Sequence, residues 1–113
     1  MTRPVHGLRA WALQRVSAVY LLGFVLYMGW RLLVHPPEDY HAWREWVAHP
    51  GPNLALAVFF LTLLVHAWVG VRDVVMDYIA DLPLRIGLLI AVAFGLVFSG
   101  IWVARILFSV SVA

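Results

Sequence analysis

Residues 54–71 read LALAVFFLTLLVHAWVGV and contain no aspartate, glutamate, lysine or arginine. An apolar run of about eighteen residues is long enough to predict a membrane-spanning helix. His66 is the one residue in the run that titrates near neutral pH, and Asp77 and Tyr78 follow where the helix leaves the hydrocarbon. We therefore predict a transmembrane helix over residues 54–79, with a polar side chain deep inside it.

Two further apolar runs, residues 16–30 and 86–104, lie on either side of this stretch. They predict transmembrane helices over residues 11–34 and 83–109. The composition agrees, because the chain is 64% hydrophobic and 12% charged, about half the charge of a soluble domain. The sequence therefore predicts an all-α integral membrane protein, a single domain over residues 1–113 with three transmembrane helices.

Composition also excludes several functions. The chain has no cysteine, which rules out disulfides, cysteine-ligated iron–sulfur clusters and cysteine nucleophiles. Its net charge of +2 is too small and too scattered to indicate a nucleic-acid partner. The partners that remain are lipid and other membrane subunits.

The segments between the spans contain residues that are typical of helix starts and ends. Tyr40–Ala48 is predicted to form a short interfacial helix, Asn53 to be the N-cap of the second span, and Pro83 to lie in the first turn of the third. Four small residues of the third span suggest a close-packing face: Gly87, Gly95, Ser99 and Gly100.

The end of the second span has a geometry that suits a functional site. At ~100° per residue, Asp77 lies ~20° around the helix from His66 and ~16 Å further along it. Gly70, one turn after the histidine, allows a flat ligand or a second helix to approach the backbone. A buried imidazole suits a metal, and a carboxylate beside the phenol of Tyr78 suits a polar ligand head.

The residues alone leave simpler roles open. His66 could pack against a partner helix, and Asp77 and Tyr78 could be ordinary helix-end residues. Arg15 either extends its guanidinium to the membrane interface or faces a site inside the protein. Three helices are too few to enclose a large cofactor, so the polar groups indicate a partner subunit.

A resemblance rests on His66-Ala67-Trp68-Val69-Gly70, on Asp77-Tyr78 seven positions after that glycine, and on Leu84-Arg85. This block resembles the hydrophobic membrane anchor subunit of bacterial succinate dehydrogenase, the smaller, D-type of its two anchors. The resemblance implies three transmembrane helices that form part of a heterodimeric anchor bundle. It implies a second cytochrome b anchor, an iron–sulfur subunit and a flavoprotein subunit as partners, with no catalytic residue in this chain.

The resemblance also implies roles for single residues. His66 would be an axial ligand of a haem b whose second ligand comes from the partner anchor. Tyr78 and Asp77 would bind ubiquinone, and Arg15 and Arg9 would lie near the haem propionates or the quinone. Arg9 departs from the pattern, because some relatives have a histidine at that position. Two alternatives stay open: the anchor of a quinol:fumarate reductase, and a haem-free structural or assembly protein.

The arginines predict how the chain is oriented in a bacterial inner membrane. Five of them (Arg3, Arg9, Arg15, Arg72 and Arg85) fall on the side of the N-terminus, and three (Arg31, Arg44 and Arg105) fall on the other side. Because cytoplasmic segments carry the excess of positive charge, we predict a cytoplasmic N-terminus. A reporter that is active only outside the cytoplasm should be active when fused at residue 45 and inactive when fused at residue 80. The reverse pattern would contradict the orientation.

Overall fold

The computed structural model describes residues 3–112, with side chains for residues 7–111. This part of the chain folds into four helices: α1 (Arg3–Val34), α2 (Tyr40–Ala48), α3 (Pro50–Tyr78) and α4 (Leu82–Val112). Three of them, α1, α3 and α4, are long and apolar enough to cross a membrane. The predicted fold class, an all-α membrane protein with three spans, is confirmed. The side chain of Arg3, which enters the arginine count, lies outside the described part.

The helices extend beyond the predicted spans. The first begins at Arg3 and not at residue 11, and the second begins at Pro50 and not at residue 54. The predicted bounds followed hydrophobicity, but a helical backbone continues past the hydrocarbon wherever its residues favour it. Proline is no obstacle at these starts, because the first turn of a helix has no use for its missing N–H.

Asn53 has a different role from the predicted one. The N-cap of α3 is His49, which makes no side-chain capping bond, and Asn53 lies inside the first turn. Its side-chain amide donates to the Val47 carbonyl at 3.1 Å and to the Leu107 carbonyl at 3.0 Å. Asn53 therefore joins the end of α2 and the end of α4 to the start of α3.

The turn between α3 and α4 is closed at both helix ends. The Asp81 carboxylate accepts a hydrogen bond from the Leu84 N–H at 3.1 Å, as an N-cap does. The Arg85 guanidinium donates to the Ile79 carbonyl at 2.9 Å. Pro83 lies in the first turn of α4, as predicted. These bonds fix the place where α3 ends, and hence where Tyr78 lies.

Helix α3 lies between the other two spans and packs against both. It runs antiparallel to α1, because Ser17 meets His66 while Phe24, further along α1, stacks on Phe59 at 4.5 Å between ring centroids. On the α4 side, a Cβ added to Gly100 would come within 2.9 Å of a Leu64 methyl group.

Within this chain, the predicted small-residue face packs against a neighbouring helix only in part. Added Cβ atoms at Gly87 and Gly95 would meet nothing within 4 Å, and Ser99 is exposed with its hydroxyl bonded to the Gly95 carbonyl. Only Gly100 of that set packs against α3. The other three lie on a side of α4 that α3 does not cover, since a helix packs along one stripe.

The chain buries little of its own surface. Among the residues described, the buried apolar side chains are Val47, Val69, Val75 and Leu107. In a bilayer the remaining apolar surface contacts lipid or another subunit, so it needs no cover from this chain.

We predict that Asn53→Ala loosens the end of the bundle that carries α2. It removes two hydrogen bonds, each worth about 0.6 kcal/mol on average between membrane helices. The thermal unfolding midpoint of the purified protein in detergent should fall by a few degrees. Ser109→Ala, which removes a hydroxyl bonded within its own helix to the Ile106 carbonyl, is the matched control. Equal midpoints for the two variants would show that Asn53 does not join the helices.

Candidate functional site

An open cavity of about 640 Å³ lies between the first half of α1 and the second half of α3. Small residues on α1 leave the space, and two arginines, a glutamine, a histidine and an aspartate supply its polar lining. Its walls are formed by Gly7, Ala10, Trp11, Gln14, Arg15, Ala18, His66, Arg72 and Asp73. The volume falls within the usual range of ligand sites, ~300–1,000 Å³.

His66 is the deepest polar group of this cavity. It lies two residues past the middle of α3, which places it ~18 Å along the helix from Tyr78. Its ring Nδ1 is 2.8 Å from the hydroxyl oxygen of Ser17, and Ser17 is only 4% exposed. The same hydroxyl oxygen is 3.1 Å from the backbone carbonyl of Gln14. The imidazole is therefore attached to α1 through one of its two nitrogens.

Gln14 and Gly70 face each other one turn away. A Cβ added to Gly70 would lie 3.2 Å from the side-chain nitrogen of Gln14, so the glycine gives that amide its room. The Gln14 carbonyl oxygen Oε1 is buried and accepts no hydrogen bond from any residue that the structure describes. A buried acceptor without a donor costs free energy, so a donor from outside this chain is expected beside it.

Charged groups lie toward the ends of the two helices. The Arg15 guanidinium carbon is 5.6 Å from the ring centroid of Trp11, within cation–π distance. Arg72 and Asp73 form an ion pair at 3.4 Å between nitrogen and oxygen. Arg15 thus lines the cavity, although it is exposed.

Asp77 and Tyr78 lie outside the cavity. Both are exposed at the end of α3, and Tyr78 is 81% exposed. Arg9 is also exposed and does not line the cavity, because it lies on a different side of α1 from Arg15 and Gln14. The structure therefore brings His66 and Arg15 to one site and leaves Asp77 and Tyr78 as a second position at the helix end.

The metal-ligating side chains of the cavity are too few for a bare metal ion but sufficient for a haem. Within the described part of the chain, no three histidine, cysteine or acidic side chains come together to hold a bare metal ion. A haem needs less from the protein, since the macrocycle fills four positions and the chain need supply only an axial ligand. His66, which lines the open cavity, is the residue that could supply such a ligand.

The family model described as "Succinate dehydrogenase/Fumarate reductase transmembrane subunit" matches residues 1–102. The chain belongs to this family. The match covers the whole of the cavity and the end of α3. It confirms the resemblance drawn from the block around His66.

Two curated relatives carry the name succinate dehydrogenase hydrophobic membrane anchor subunit. The protein from Coxiella burnetii is 28% identical over 102 residues, which cover 90% of this chain and 89% of the relative. The protein from Rickettsia bellii is 31% identical over 86 residues, which cover 76% of this chain and 69% of the relative. The similarity therefore extends over most of each chain and is not confined to one motif.

Three polar residues of this transmembrane subunit were not selected as site residues from the sequence: Gln14 and Arg72, which line the cavity, and Ser17, which contacts His66. Ser17 lies in the run of residues 16–30, which was identified as a span because it contains no charged residue. Gln14 lies just before that run. A polar side chain within or beside a membrane span is itself a pointer to function. Applied to uncharged residues, that rule would have selected both of them.

We predict that Gly70→Leu opens the contact between α1 and α3. The new side chain would meet the Gln14 amide, and overpacking of this kind costs about 1–3 kcal/mol. The thermal unfolding midpoint in detergent should fall. Gly23→Leu adds the same atoms on α1, where the added Cβ meets no described atom within 4 Å apart from its own turn of helix. A control that loses as much stability as Gly70→Leu would refute the close approach at Gly70.

Proposed function

We propose that this chain is the hydrophobic membrane anchor of a succinate dehydrogenase, where it supplies one axial ligand of a haem b and part of a ubiquinone site. The observation that carries the proposal is the position of His66. It belongs to the block that resembles the anchor subunits, and it faces an open cavity near the middle of a transmembrane helix. Family membership and the names of the two relatives support the same conclusion.

The residues of the cavity fit a haem. His66 supplies an imidazole to the iron, and Arg15 and Arg72 supply positive charge for the propionates. Arg9, exposed on another side of α1, is the weaker candidate for this role. A bound haem contributes one-electron redox chemistry, tuned by its axial ligands.

The open side of the cavity supports a partner. His66 offers one axial ligand, so the second ligand and the remaining wall come from a second cytochrome b anchor. The buried Oε1 of Gln14 is an acceptor that a donor of such a partner would satisfy. An iron–sulfur subunit and a flavoprotein subunit complete the proposed complex and carry out the oxidation of succinate.

The end of α3 supports the quinone site. Tyr78 and Asp77 are exposed where the helix leaves the membrane, beside the turn that Asp81 and Arg85 close. The Tyr78 hydroxyl can donate a hydrogen bond to a carbonyl oxygen of ubiquinone. Reduction to the quinol takes up two electrons, delivered by the iron–sulfur subunit, and two protons, for which the exposed Asp77 carboxylate offers a path from water.

The arginines support the orientation. The antiparallel packing places Arg15, Arg72 and Arg85 toward one end of the bundle and Arg31 and Arg105 toward the other. In a bacterial inner membrane the first end would be cytoplasmic, together with the N-terminus. The soluble subunits would then dock at the end that carries Tyr78.

We predict that His66 and Tyr78 serve separable functions. In the purified complex, His66→Ala should lose the haem band from the reduced-minus-oxidised spectrum. Tyr78→Phe should keep that band and weaken quinone binding by about 2- to 12-fold, the value of one hydrogen bond of about 0.5–1.5 kcal/mol. Electron transfer from succinate to an artificial acceptor at the soluble subunits should be unchanged in Tyr78→Phe.

Tyr40→Phe is the matched control for the phenol. It removes the same hydroxyl from an exposed tyrosine at the start of α2, at the opposite end of the bundle. If Tyr78→Phe and Tyr40→Phe reduce quinone equally well, Tyr78 is not a quinone ligand. A wild-type complex without a haem band would instead favour a haem-free anchor, and a complex that mainly oxidises quinol would favour a fumarate reductase.

A further inference from the structure

Ser17 contacts His66 in a way that constrains where the imidazole carries its proton. The Ser17 hydroxyl oxygen lies 2.8 Å from His66 Nδ1 and 3.1 Å from the backbone carbonyl oxygen of Gln14. A serine hydroxyl has a single proton to donate. The carbonyl oxygen has no proton at all, so it can only accept.

Only one assignment of protons makes a hydrogen bond of both contacts. If the hydroxyl donates to Nδ1, it makes no hydrogen bond with the Gln14 carbonyl, which keeps only the bond from its own helix, and the hydroxyl oxygen accepts none. If the hydroxyl donates to the carbonyl, its oxygen is free to accept, and a protonated Nδ1 of His66 donates to it. The second arrangement satisfies Ser17 as donor and as acceptor, which a buried hydroxyl requires.

We infer that Ser17 is a positioning residue that holds His66 in the tautomer with its proton on Nδ1 and its lone pair on Nε2. The inference rests on the proposed function, because a lone pair on Nε2 has a use only if His66 binds iron. It identifies an outer-shell partner for that ligand within this chain. Metal-ligating histidines generally have such a partner on the second nitrogen, which fixes the ring and raises its basicity.

The burial of Ser17 gives the contact its strength. Ser17 is only 4% exposed, so its hydroxyl depends on protein groups for its hydrogen bonds. The hydroxyl is also held in place by its own helix, since the Gln14 carbonyl lies one turn earlier on α1. Ser17 therefore acts as a fixed acceptor on α1 for a side chain that belongs to α3.

The test compares variants of Ser17 in the assembled complex. Ser17→Ala removes the acceptor, and loss of an outer-shell partner typically weakens metal binding by about 10- to 100-fold. We expect a lower haem content and, in the haem that remains, a higher midpoint potential, because a less basic imidazole stabilises the ferric state less. Ser17→Thr keeps the hydroxyl, which can still bond the helix carbonyl, and should keep both values.

Ser99→Ala is the matched control, because the Ser99 hydroxyl also bonds a backbone carbonyl of its own helix but contacts no histidine. Should Ser17→Ala prevent assembly, Ser17→Cys decides: the thiol is a weak acceptor of similar size, and the midpoint potential should rise while the complex forms. An unchanged potential in Ser17→Cys would overturn the inference.

Two further outcomes would also overturn it. One is a Ser17→Ala complex with the haem content and potential of Ser99→Ala. The other is equal loss of haem in the Ala and Thr variants, which would mean that only the shape of serine matters. These results differ from failure of the proposed function, in which the wild-type complex has no haem and His66→Ala changes nothing in the spectrum.

Discussion

The hydrogen bond between Ser17 and His66 is the interaction on which the functional half of the molecule depends. Lipid offers no hydrogen-bonding partner, so a polar side chain inside a span must find one in the protein. The bond joins α1 to α3 near the middle of α3, at a serine that is 4% exposed. By placing the imidazole at the back of the cavity, it determines which side of α3 becomes a site and which sides face lipid or another subunit.

Much of the fold could be predicted from the sequence because few backbone structures can span a membrane. Apolar runs separated by proline and charge predicted three spans, and Asp81 and Pro83 marked the start of the last one. The helix starts were misplaced because hydrophobicity reports where lipid ends, while the backbone of α1 and α3 stays helical beyond it. Asn53 was misassigned because its partner Leu107 is 54 residues away, and local pattern carries no information about such a contact.

The candidate site was predictable only in part, and for a physical reason. His66 stood out because a titratable group in an apolar run is costly and rare. Ser17 and Gln14 did not, because their value comes from what they face across the α1–α3 contact. Helical periodicity placed Asp77 near the azimuth of His66, but the cavity closes before that depth, at Arg72 and Asp73. Sequence periodicity predicts the side of a helix on which a residue lies. It does not predict how far along the helix a neighbouring element or a cavity extends.

The open cavity also has a consequence for the abundance of the folded subunit in the cell. A group that binds the folded state and not the unfolded one stabilises it in proportion to its concentration. In the proposed complex, groups from outside the chain fill the space beside Gln14 and His66, so they would contribute part of the free energy that keeps α1 against α3. The abundance of the folded subunit should then follow the supply of its missing parts, which keeps its production in balance with theirs.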